Sequence, residues 1–175
     1  MTWLETISVV PAALLGLLYL LWKDLPAPPG QPGLFDRVGL TMIGIFPFIV
    51  MFLITSIAML RERTSGTLER LLTTPLSKPA LLAGYGLAFG LAATLQALIT
   101  VVVAVWGYGL DFAGPAGLIV LIAVVDAVLG VALGLLASAF ARSEFQAVQF
   151  LPVVVLPQLL LAGLFLPRAA MPGWL

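Results

Sequence analysis

The apolar residues of this chain are bunched. They fall into five stretches of about twenty residues or more, at about 3–22, 38–60, 80–106, 116–140 and 147–166. A bilayer core is about 30 Å thick, and about 20 residues of helix cross it. In hydrocarbon every backbone amide needs an internal partner, so stretches of this length cross as helices. The pattern predicts an all-α polytopic membrane bundle of about five transmembrane helices, forming a single domain over residues 1–175. Composition agrees. Of 175 residues, 62% are hydrophobic and 9% are charged, where a soluble domain carries about 25% charge.

The same composition removes several kinds of chemistry. Eight basic residues balance eight acidic ones, so there is no basic footprint for nucleic acid. Without Cys there is no disulfide framework or thiol chemistry. Without His the commonest general base and metal ligand is missing, and with it every HExxH zinc site. Lys23 and Lys78 are the only lysines, and neither follows a Gly-rich turn, so no Walker A loop is present. No catalytic residue, metal or bound cofactor is expected on this chain, and ATP-driven work needs a partner.

The connections differ in character. Trp3 and Trp22 lie near the ends of the first stretch, where interfacial indoles prefer to sit. That stretch lacks a basic start and is long enough to span, so it does not read as a cleavable signal peptide. Lys23–Arg37 carries five Pro or Gly breakers within 26–32 and reads as an exposed loop. Gly107, Gly109, Asp111, Gly114 and Pro115 mark a short loop after the third span. ARSEFQ (141–146) reads as a polar break before the fifth, and 167–175 as an interfacial tail. If the polar segment 61–79 is cytoplasmic, that side holds Arg61, Arg63, Arg70, Lys78 and Arg142, against Lys23, Arg37 and Arg168. The excess of positive charge then puts the N-terminus inside.

Residues 62–75 read ERTSGTLERLLTTP. Gly66 suits a helix N-cap, and Glu69 suits the first turn. Leu68, Leu71 and Leu72 fall on one face, with Glu69 and Arg70 elsewhere. Pro75 stops the helix, Ser77 can cap the next one, and Pro79 suits its first turn. The segment predicts a short amphipathic helix on the membrane surface. It is either a solvated connector or a lever gripped by a partner.

Glu62, Arg63, Gly66, Thr67, Glu69, Leu71 and Pro75 fit a known loop pattern: Glu, a basic residue, Gly-Thr, a second Glu, then an apolar run closed by Pro. In these residues the segment resembles the cytoplasmic loop of type-2 ABC transporter permeases. Residues 141–172 resemble the fifth span and following turn of the drug-resistance branch, similar to daunorubicin-type exporter permeases. The resemblance implies a six-span permease that dimerises, as homodimer or heterodimer, and docks cytosolic ABC ATPase subunits that hold ATP and Mg. It implies that Glu62, Arg63 and the helix around Gly66–Leu72 couple to the ATPase. It also implies a chain shortened at both ends. Scarce Lys and absent Asn suggest a GC-rich bacterial genome, and so the bacterial plasma membrane.

Polar groups inside the spans are few. Asp126 is the one acidic residue deep within a span, where a charge costs at least about 2.5 kcal/mol. Gly130, Gly134 and Ser138 share its face, and Gly130–Gly134 permits close helix approach. Asp126 should therefore face a helix or a cavity, either as a substrate or proton site or as a carboxyl holding helices together. Gln96, with Thr94 and Thr100, is expected to hydrogen-bond across helices. Gly86 and Gly90 form a second close-packing pair. Pro152, Pro157 and Gln158 mark a kinked fifth span, as a hinge or a static bend. Arg142 and Glu144 read as plain interfacial charges. The leading reading is the permease of an ATP-driven exporter of drugs, lipids or other hydrophobic compounds. The alternatives are a secondary transporter or channel using Asp126, and a non-transporting permease remnant.

Overall fold

In the computed structural model the five apolar stretches form five long helices, and a sixth short helix lies between the second and third of them. The structure describes residues 3–26, 33–73, 75, 77–112 and 114–162, with side chains from residue 9 onward. Most of the breaker cluster at 26–32, the end of the fifth stretch, the tail with Arg168, and the side chains of Trp3 and Leu72 lie outside the described residues.

Helix α1 is Trp3–Trp22, α2 Leu34–Thr64, α3 Thr67–Leu72, α4 Lys78–Val102, α5 Ala116–Phe140 and α6 Glu144–Leu161. Among the described residues there is no strand. Among the described residues four helices are long and apolar enough to cross a membrane, α4 being extended to Gly107 by a wider π turn over Val103–Gly107. With its 20 residues, α1 has the length of a fifth. The chain is a multi-pass membrane protein.

Three boundaries depart from the sequence reading. Helix α2 overruns its expected span at both ends, because Arg61, Glu62 and Arg63 are good helix formers and apolarity is not what ends a helix. Helix α6 begins at Glu144, not Ala147, so EFQ is its first turn and not part of a break. The Ser143 Oγ accepts from Gln146 N at 3.2 Å, and the Gln146 side chain accepts from Arg142 N at 2.9 Å. This near-reciprocal cap starts the helix early. At the far end of α4, Tyr108 N donates to Val103 O and Leu110 N to Ala104 O, both at 3.1 Å.

Helix α2 is the hub, touching α1, α4, α5 and α6. Its closest partner is α5, which runs parallel to it. A Cβ at Gly130 would come 2.6 Å from Phe48 O, and one at Gly134 would come 2.7 Å from Phe52 O. The glycine pair thus lets α5 lie directly on the α2 backbone, beside the stacked Phe48 and Phe52 rings at 6.3 Å. The second expected glycine pair is not used. Gly86 and Gly90 face open space, and α4 packs through buried Ala93, Ala97 and Val101 instead.

Candidate functional site: the α3 loop and its anchors

Gly66 works twice. Its φ of 75° and ψ of 4° put it in the left-handed region, where a Cβ costs about 1–2 kcal/mol. It closes α2, with Ser65 N donating to Arg61 O at 2.9 Å, and it starts α3 as N-cap. The sequence reading saw only the second role. Ser65 and Thr67 hydroxyls meet at 2.9 Å across the turn. On α3, Leu68 and Leu71 are half-buried, while Thr67, Glu69 and Arg70 are exposed. The helix ends two residues before residue 74, with Thr73 as C-cap. Ser77 then caps α4, its Oγ accepting from Ala80 N at 3.3 Å, with Pro79 in the first turn.

Glu62 and Arg63 are not on α3. They belong to the last turn of α2, and each turns to a different neighbour. The Arg63 guanidinium donates to the Ser138 carbonyl near the end of α5. Carbonyls in a helix's last turn lack intrahelical donors, and a cation there also suits the helix dipole. Glu62 faces α4, where the Tyr85 hydroxyl lies beside its carboxylate; its Oε2 is buried without a hydrogen-bond partner.

One anchor was missed from sequence. Arg61 holds Glu144 bidentately, Nε to Oε1 at 2.7 Å and Nη2 to Oε2 at 3.1 Å. Glu144 is therefore the partner that ties α6 to α2. Arg61 and Glu144 are 83 residues apart, and nothing local signals the pair.

The polar groups inside the bundle are less well matched. Asp126 turns toward α2, its Oδ2 3.0 Å from where a Gly44 Cβ would sit, and it finds no hydrogen-bond donor among the described residues. Gln96 is fully buried, yet neither amide atom has a partner among the described residues. The expected bonds across helices are absent there. Thr94 Oγ1 donates to Gly90 O and Thr100 Oγ1 to Gln96 O, both at 2.8 Å and both within α4. A threonine hydroxyl mid-helix reaches its own i−4 carbonyl more readily than a neighbouring helix. Gln158 Oε1 is also buried and unpartnered. Among the described residues no hydrogen bond joins these three side chains. Among the described residues no three His, Cys, Asp or Glu side chains gather into a metal-binding group.

The profile of the ABC-2 type transporter family matches residues 4–175. The chain belongs to the ABC-2 type transporter family. It is 33% identical over 135 residues to the probable multidrug ABC transporter permease YbhR of Escherichia coli, covering 77% of this chain and 37% of that protein. It is 27% identical over 151 residues to ABC transporter G family member 20 of Dictyostelium discoideum, covering 85% of this chain and 21% of that protein. This ABC-2 chain therefore spans well under half the length of these relatives. No solved structure gives a significant match.

Proposed function

We propose that this ABC-2 chain is the membrane-spanning permease part of an ATP-driven exporter that moves drugs, lipids or other hydrophobic compounds out of a bacterial cell. Family membership and the multidrug permease name of the E. coli relative support the reading. The observation that carries it is the mounting of α3. Gly66 joins α3 to α2, and the capped start of α4 follows it directly. Arg61 ties the same end of α2 to α6, and Arg63 ties it to α5. Displacement of α3 is thus passed to four of the long helices. Exposed Glu69 and Arg70 offer the outer surface to a cytosolic ABC ATPase, which holds ATP and Mg and performs the hydrolysis. Two such permease chains, identical or paired with a relative, complete the transporter in the bacterial plasma membrane.

The chain has no cysteine, so single-cysteine mapping is clean. Glu69→Cys should react with a membrane-impermeant maleimide only after cells are opened, and Asp24→Cys should react in intact cells. Labelling of Glu69→Cys in intact cells removes α3 from the motor's reach and sinks the proposal. With sidedness established, the chain should capture its ATPase on pull-down, and Gly66→Pro or Glu69→Lys should weaken capture.

A further inference from the structure

A cleft of about 520 Å³ opens between α2 and α4 at the α3 end of the bundle. Leu53, Ile54, Ile57 and Phe89 form its walls, and Arg61 and Glu62 lie at its rim. Volumes of this order hold small drug-like molecules. The walls choose an apolar body, and the rim decides the charge.

Among the described residues Glu62 has no counter-charge. Its two basic neighbours in sequence are engaged elsewhere: Arg61 holds Glu144 with two hydrogen bonds, and Arg63 holds the Ser138 carbonyl. Tyr85 offers the Glu62 carboxylate only a neutral hydroxyl. Oε2 is left buried with no donor. A carboxylate in that state is unfavourable unless something pairs with it. A neutral apolar guest leaves it unpaired. An anionic guest adds repulsion, and the nearby guanidinium is already shared with Glu144. A cation corrects the imbalance, and Phe89 in the wall adds an aromatic surface of the kind cations favour.

We propose that this cleft binds a lipophilic cation, with its apolar body between α2 and α4 and its positive centre against Glu62. The inference deepens the exporter reading: it names the substrate class, and its role as a loading site at the inner leaflet rests on that reading. Binding itself does not require transport and is measured without it.

The test uses the full chain in phosphatidylcholine nanodiscs, with empty nanodiscs giving the background from lipid partitioning. The probes are radiolabelled tetraphenylphosphonium and tetraphenylborate, which share shape and size and differ in the sign of charge. Tetraphenylphosphonium should bind saturably, and tetraphenylborate should not compete for the site. Glu62→Gln keeps the shape, removes the charge, and should weaken phosphonium binding about tenfold or more, the effect of losing one charge–charge attraction in a partly apolar cleft. Ala58 also lines the cleft; Ala58→Phe fills it and should abolish binding at unchanged helix content by circular dichroism. Asp24→Asn, at the opposite end, should bind as the parent does. Absence of saturable binding, equal competition by the borate, or a Glu62→Gln chain that binds like its parent overturns the proposal. Efflux by an assembled transporter whose chain binds no phosphonium removes this site and leaves the exporter reading. Phosphonium binding by a chain that supports no efflux does the reverse.

Discussion

At one end of the bundle, arginines on α2 reach across to the end of α5 and the start of α6. At the other, aromatic rings and backbone amides close the gap. The Arg61–Glu144 pair is half-exposed, with side chains 56% and 49% accessible, so ions in solution screen it. Beside it lies the α2–α4 cleft. The opposite end holds a smaller cleft of about 200 Å³, between α2 and α5 beside Phe112 and Pro115. There Tyr108 stacks on Tyr19 at 5.4 Å, and Tyr19 meets Phe35 edge-on at 5.2 Å. The Tyr108 hydroxyl donates to Ala12 O at 3.1 Å and sits over Gly16, which has no Cβ to obstruct it. Leu110 fills the space above Gly39 in the same way, and Asp111 N donates to Asp36 Oδ1 at 3.1 Å. Long charged arms over a cleft yield more readily than interlocked rings. The compliance of the molecule is therefore concentrated at the α3 end.

The largest expected effect comes from the contact that serves both ends. Gly130→Val forces a side chain into the α2 backbone and should cost about 3 kcal/mol, the upper range for overpacking, measured by reversible unfolding in mixed micelles. A loss below about 0.5 kcal/mol means that α2 and α5 are not held by this glycine. Tyr108→Phe keeps the stacking and deletes one hydrogen bond, so it should cost about 1 kcal/mol. Hydrogen exchange should then rise around 103–112 and in α1, and stay unchanged around 61–73. Equal loosening at both ends breaks the contrast. Raising salt from about 0.05 to about 0.5 M shortens the screening length severalfold. Spin labels at Ser65 and Arg142 should show a broader distance distribution, while labels at Asp24 and Asp111 should not. Arg61→Gln should have the smallest effect: unchanged global stability, with the salt response of the Ser65–Arg142 distance reduced. A full salt response in that variant assigns the sensitivity to Arg63 alone.

Much of this was legible in the sequence for local reasons. The α1 and α5 limits follow from predominantly apolar runs that stop at polar or breaker-rich segments. The start of α4 follows from Ser77 and Pro79, and α3 from Gly66, Glu69 and the leucine spacing. The early start of α6 was also written locally, as Ser143 followed three residues later by Gln146, but the polar character of the segment masked it. Gly130–Gly134 and Gly86–Gly90 share a spacing and differ in outcome, because spacing permits close approach without supplying a neighbour. The roles of Glu62 and Arg63 depend on α4 and α5 arriving from distant parts of the chain. The π turn depends on Tyr108 finding Ala12 across the bundle. No short stretch of residues encodes either.

Helix α6 carries Pro152 and Pro157 without breaking. Each proline lacks the amide hydrogen that would bond the carbonyl four residues earlier, so the oxygens of Val148 and Val153 lose their helical donors. Over half of the apolar core of α2 is buried within the bundle (56%), against 11% for α6. Acyl chains offer no donor to such oxygens. Among α2, α4, α5 and α6, it is α6 that has the strongest physical reason to be sheathed by something beyond this chain: ordered water, a lipid headgroup or another polypeptide.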